Sequence, residues 1–299
     1  LEAYVLNDIG RAYAVAGRID QAFASFAAAY ERWQALGNEP MMADILGIWS
    51  EGLLLYGDLA GAERIARQGL DVGRRIGNLW AQAFNGYALA HSLLEQGRAA
   101  EALPLLRATV DWAMQGGFPS LGGSVAVVLR WLAGTADLPM ADREQLAAVL
   151  EGMGDVNYAR ELHQLWRGLD FLYAGAAAAA YEQVATVFIA DYSREGPQAV
   201  TLTLIVPAIA LAAGLPAEAL AVVDRLLADM AVLGFTSQHG DAYRLRGDAL
   251  RQLGRHGEAH TAYTTALQAA TAQGAMRSIA PARAVLEQVT SEGGFTTDN

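Results

Sequence analysis

Three groups of polar and aromatic residues stand at spacings that place each group on one face of an α-helix. Asp241, Arg244, Asp248 and Arg251 follow one another at three, four and three residues, a single helical stripe. Phe84, Tyr87, His91 and Glu95 make a second stripe, and Tyr4, Asn7 and Arg11 a third. The chemistry open to them is recognition. Arg244 and Arg251 could grip an acidic or carboxylate-bearing partner through paired N–H donors, and Tyr87 could supply an apolar anchor. The bland alternative is a solvated face with internal Asp–Arg pairs, each contributing about 0.3 kcal/mol.

Catalytic chemistry finds no residues to carry it. There is no G-x-S-x-G, no S-x-x-K and no glycine-rich phosphate loop following a strand. All 21 basic residues are Arg, so a P-loop lysine, a Schiff-base lysine and a kinase strand lysine are excluded together. The chain has no Cys, which removes thiolate nucleophiles, disulfides and Cys-based zinc sites. His256 and His260 in "HGEAH" have the i, i+4 spacing of two ligands on one helix face. The pattern is not H-E-x-x-H and no third ligand stands nearby, so both read as solvated. No catalytic residue, metal or cofactor is expected. Trp33, Trp49, Trp80, Trp112, Trp131 and Trp166 fall on apolar faces near helix junctions and read as packing.

The elements that must position these residues follow from composition. The 299-residue chain is rich in Ala and Leu with sparse β-branched runs, which favours helix because such side chains lose little freedom there. A formal net charge of -11 argues against a nucleic-acid footprint. Thr201–Leu215 is the one stretch resembling a membrane span, but it is too short and carries Pro207, so it predicts a buried helix. Leu1 opens directly in helical pattern, so the sequence reads as a piece of a longer protein without a signal peptide. The absence of Cys fits a reducing, cytoplasmic setting.

An outline recurs along the chain while its letters change. First glycines fall at Gly17, Gly57, Gly97, Gly134, Gly175, Gly214 and Gly254, at intervals of 37 to 41 residues. A second series follows 20 or 21 residues behind: Gly37, Gly77, Gly117, Gly154, Gly196, Gly234 and Gly274. Between glycines lie apolar positions at three and four, the pattern of an amphipathic helix, and a Gly just past a helix takes positive φ without a Cβ clash. Five residues after the first Gly comes Ala22, Ala62, Ala102, Ala180, Ala219 or Ala259, with Pro139 in the fourth unit. A small residue there marks where the two helices of a hairpin cross closely. A period of this length signals a solenoid.

These residues resemble the tetratricopeptide repeat: Ile9-Gly10-x-x-Tyr13 with Gly17, Ala22, Phe26 and Ala29, and again Gly247, Leu250, Gly254, Ala259, Tyr263 and Ala266. The period is about six residues longer than the family's. This longer form looks like the C-terminal repeat regions of bacterial nucleotide cyclases with signalling-ATPase modules and of maltose-regulator-type transcription activators, best along Asp44 to Gly117. The resemblance implies an all-α, right-handed α-solenoid of about seven antiparallel hairpins. They would span about 3–38, 39–78, 79–118, 119–155, 156–196, 197–235 and 236–275, with a capping helix at 278–289 and a polar tail at 291–299. It also implies a concave groove lined by the first helix of each hairpin. In that register Tyr4, Asn7, Arg11, Asp44, Gly47, Glu51, Phe84, Tyr87, His91, Asp241, Arg244, Asp248 and Arg251 line the groove, and Glu95 continues the α-helical stripe of Phe84. Leu121, Leu165 and Leu204 make its middle apolar. The expected function is a non-catalytic interaction module of a cytoplasmic signalling protein, binding a protein or peptide segment in the groove. The alternative is a domain that senses a small-molecule effector and signals to an N-terminal output domain. Neither nucleic acid nor membrane is an expected partner.

Overall fold

Runs of Ala and Leu broken by glycine at regular intervals fold as helices broken by left-handed turns. The computed structural model describes residues 1–132, 140–154, 159–189 and 197–293. Among them lie fifteen helices and no strand. The first three hairpins are α1 (Glu2–Val15) with α2 (Ile19–Ala35), α3 (Glu39–Leu55) with α4 (Leu59–Arg75), and α5 (Leu79–Glu95) with α6 (Ala99–Gly116). Then come α7 (Pro119–Leu132) with α8 (Met140–Glu151), α9 (Ala159–Tyr173) with α10 (Ala177–Val184), and α11 (Pro197–Ala212) with α12 (Pro216–Leu233). The last pair is α13 (His239–Gln252) with α14 (His256–Gln273), followed by α15 (Met276–Gly293). The chain is an all-α solenoid of successive helix pairs.

The turn chemistry is local. Gly57 and Gly77 sit at φ +79° and +65°, a region closed to most side chains, and end α3 and α4. Asn38, Asp58 and Asn78 each accept a hydrogen bond from the backbone N–H three residues on, starting the next helix. The small-residue positions Ala22, Ala62, Ala102, Ala180, Ala219 and Ala259 are all fully buried, where the helices of each hairpin touch. Gly134, Gly196, Pro139 and the end of the tail lie outside the described residues. The final helix begins at Met276 and runs to Gly293, past the expected cap and into the segment read as tail.

The stretch read as a buried helix is α11, apolar nearly all round and buried along most of its length, with Pro207 inside it. No helix among the described residues is long and apolar enough to cross a membrane. α11 packs on α7, α9 and α13 and also reaches α3, while α15 reaches back to α5. The two ends of the solenoid therefore meet. Tyr56, just past α3, donates its hydroxyl to Ala14 O at 3.0 Å and to Leu233 O at 3.3 Å. Leu55 O accepts Thr236 N at 2.8 Å and Ser237 N at 3.0 Å, and Gln273 Nε2 donates to Thr236 O at 2.6 Å. Gly57 faces this seam: a Cβ there would lie 2.6 Å from Gln273 Nε2 and 2.8 Å from Thr236 Oγ1.

Candidate functional site

Four of the polar and aromatic residues expected in the groove converge on one cavity of about 420 Å³ on the inner wall of the N-terminal hairpins. Arg11 comes from α1, Asp44 and Glu51 from α3, and Phe84 from α5. Asp44 and Glu51 are seven residues apart, so two turns of α3 present both carboxylates on one face. Trp80, four residues before Phe84, stacks on its ring with centroids 5.1 Å apart. Phe118 meets Trp80 edge-on at 4.8 Å. Trp80 Nε1 donates to Asp44 Oδ1 at 3.1 Å, tying the aromatic wall to the acidic one. Gly47 makes the wall possible, since a Cβ there would overlap the Phe84 ring. Leu121, Ser124 and Gln198 also line it, and Gln198 Oε1 is buried without a hydrogen-bond partner among the described residues. Arg11 is exposed and, among the described residues, forms no ion pair with Asp44 or Glu51.

Other stripe residues are sealed inside the molecule, and the expectation of one continuous open groove is corrected by their burial. Tyr87 is fully buried, so it offers no anchor to a partner, and His91, Glu95 and Asp241 are buried beside it. The Tyr87 hydroxyl lies 3.1 Å from His91 Nδ1, and Gln238 Nε2 lies 3.0 Å from His91 Nε2 and 2.6 Å from Thr201 Oγ1. The Gln238 amide donates to both, which leaves His91 protonated on Nδ1. Burial, aided by the positive Arg277, pushes the His91 pKa down to about 3, so the ring is neutral. Gln238 holds φ +54°, unusual for a side chain of its kind, at the start of α13.

Arg277 at the start of α15 bridges Glu95, at 2.7 Å, and Asp241. Burial raises Glu95 above the ordinary carboxylate range; Arg277 opposes this and Asp241 adds to it. Burial also works to raise Asp241, but Arg277 and Arg244 overcome it and hold that carboxyl low. The space left between these groups is about 50 Å³, room for a few waters and nothing larger. The physical cause of the sealing is the closure of the solenoid: α15 packs on α5, and Thr201 of α11, Gln238 just before α13 and Asp241 of α13 stand at the face of α5 that a groove would expose.

The remaining expected residues are spread out. Arg244 pairs with Asp248 at 2.9 Å and stands 3.8 Å from Asp241, while Asp248 also accepts the Tyr263 hydroxyl at 2.9 Å. Arg251 sits beside the same Tyr263. Arg244 and Arg251 are thus engaged within the chain, the internal pairing that the bland alternative anticipates. Tyr4 is half exposed with its ring edge against Trp33 at 4.6 Å, and Asn7 is buried with Oδ1 unpartnered. Leu165 is buried, and Leu204 lines the small cavity.

Trp80, Phe118, Ser124 and Gln198 in the open pocket, and Thr201, Gln238 and Arg277 in the sealed one, were not singled out as site residues by spacing. Trp80 carried a signal, since it extends the Phe84 stripe by one turn. Gln198 and Arg277 carried none, because they arrive from hairpins far along the chain.

No family model and no curated protein matches this chain. Among solved structures it is similar to the tetratricopeptide domain of P58(IPK), at 13% identity over 96% of this chain and 99% of that one, with a TM-score of 0.28. It is also similar to a circular tandem repeat protein with novel repeat topology, at 14% identity over 97% of this chain and 82% of that one, with a TM-score of 0.29. The helix pairing described above stands on its own geometry.

Proposed function

We propose that this chain is a non-catalytic interaction module that receives a partner segment in the pocket bounded by Arg11, Asp44, Glu51, Trp80, Phe84 and Phe118. One observation carries the reading. The cavity is the place where the inner wall combines an aromatic lining, two carboxylates and an accessible volume of about 420 Å³. Apolar walls with a few placed polar groups are what a binding pocket needs, and helical-hairpin solenoids bind along their inner face. No constellation of nucleophile, base and oriented donor can be assembled from the pocket residues, so the proposal is a binding role. We place the module in the cytoplasm, as part of a larger signalling or transcription-regulatory protein of the cyclase or maltose-regulator kind.

The chain's lack of Cys permits a clean test. A single Glu51→Cys carrying a photocrosslinker marks the pocket, and Glu258→Cys on the exposed face of α14 serves as control. Crosslinks to a defined partner at position 51 but not 258 support the reading. Equal or absent crosslinking at both positions sinks it.

The volume also suits a small-molecule effector, since ligand pockets commonly fall between about 300 and 1,000 Å³. On this second reading the occupant biases the packing of α1, α3, α5 and α7 and signals to an output domain. Native mass spectrometry separates the two: a discrete mass retained by the purified chain and lost on unfolding favours the effector.

A further inference from the structure

We propose that α1 carries a second docking face, built to receive a helical hairpin that precedes it in the parent protein; this rests on the reading of the chain as part of a larger protein. Leu1, Val5, Ile9, Ala12 and Ala16 follow one another at four, four, three and four residues, one stripe along α1 and its two ends. All five are exposed. The opposite side of α1 is committed to α2, with Ala3 buried and Gly10 against the Phe26 ring. A surface helix ordinarily turns polar residues to water, and one that is apolar on two opposite sides is suited to being covered on both.

The later hairpins show what covers such a stripe. The glycine just past each first helix fixes the register. Val5 stands twelve residues before Gly17, as Ile45, Asn85, Leu202 and Ala242 stand before Gly57, Gly97, Gly214 and Gly254. Those four are fully buried, whereas Val5 is 46% exposed. Their cover is the second helix of the hairpin before. A Cβ at Gly69 of α4 would overlap the Asn85 side chain, and one at Gly73 would lie 2.9 Å from Ala81 Cβ, the counterpart of Leu1. Ile45 shares its apolar cluster with Ala29 and Trp33 of α2. The stripe on α1 thus continues the interface that joins α2 to α3 and α4 to α5. Its occupant is a second helix of the same kind, with Ala or Gly where the two helices cross. A second copy stacked head to tail would bring α15, with Arg283 and Glu287 exposed, onto this stripe, which sets charge against apolar surface.

The test extends the full chain. A copy of residues 38–80 placed directly before Leu1 keeps the register and sets a second α4 against the stripe. A parallel graft uses residues 78–120, which carry α5 and α6. In both grafts the amides of Val5 to Ala12 exchange with solvent about 10-fold more slowly than in the natural chain. Val5→Asp abolishes that slowing in the grafts and leaves exchange in the natural chain within about 2-fold, as an exposed position should. Exchange of α1 at its natural rate in both grafts, whether or not circular dichroism shows the added helices, overturns the inference. Sedimentation supplies the other arm. A natural chain that is dimeric at about 10 μM, and monomeric once it carries Val5→Asp, gives the stripe to a second copy and overturns the inference too. Neither failure denies a larger protein, whose preceding segment would then join without stacking. Crosslinking at position 51 is read separately, so the pocket stands or falls apart from this face.

Discussion

Helix α5 belongs to two different regions of the molecule. Its N-terminal half, with Trp80 and Phe84, faces an open cavity of about 420 Å³; its C-terminal half, with Tyr87, His91 and Glu95, is closed over by α15 and by side chains from α11 and from the start of α13. Both halves lie on one stripe of one helix and each carries an aromatic ring, so an aromatic residue at helical spacing does not by itself tell the open half from the covered one. What separates them is the far end of the chain. The C-terminal hairpins pack back onto the turns of the N-terminal ones, and where they land a recognition-like stripe becomes an internal hydrogen-bonded and ionic network. A polar helical stripe on an inner wall is therefore a candidate surface only where the superhelix leaves it uncovered.

The sharpest way to break this contrast is to remove the bridge. Arg277→Ala leaves Glu95 and Asp241 facing each other without their cation and should cost about 3 kcal/mol in urea unfolding. The figure sits at the low end for a broken buried pair because the Arg277 side chain keeps 29% of its exposure. A loss under about 0.5 kcal/mol would mean that the seam is not a stable contact.

Two glycines sharpen the location of the seam. Gly77→Ala meets nothing within 4 Å and should cost only about 1 kcal/mol for the left-handed backbone. Gly57→Ala suffers the same strain and also collides with Gln273 and Thr236, so thermal melts should show a loss about 1 kcal/mol larger. Equal losses would place the C-terminal hairpins elsewhere.

Acid sharpens it further. The folded pKa of His91 is about 3 against an ordinary 6.5, so below pH 6.5 the unfolded chain binds a proton that the folded chain refuses. Its contribution to stability is full above that pH and falls by up to about 1.4 kcal/mol per unit as pH drops toward 3. Glu95, raised in the fold, acts in the opposite direction, so the measurement is a difference. Unfolding free energies at pH 6.5 and pH 5 should fall more steeply for the natural chain than for His91→Gln, and parallel slopes would show that His91 meets water. The smallest effect belongs to the open pocket, where Asp44→Asn and Glu51→Gln should each change stability by less than about 0.5 kcal/mol.

The sequence alone determined the all-α class, the succession of helix pairs and, among the described residues, the glycine turns between them. Those features depend on residues close in the chain: a glycine that can take positive φ, an Asn or Asp that caps the next helix, a small Ala where two neighbouring helices cross. Trp80 was readable as a packing residue from the apolar face around it, and the Asp44–Glu51 pair from a two-turn spacing. The pairing of Arg244 with Asp248 also followed from local spacing. Which faces stay open was decided only in the tertiary structure. Whether His91 and Glu95 meet water depends on Gln238 and Arg277, more than a hundred residues away, and their arrival is set by small rotations accumulated from hairpin to hairpin. No local pattern encodes that sum. The same accumulated rotation brings Gln198 to the rim of the open pocket and Arg277 into the sealed one.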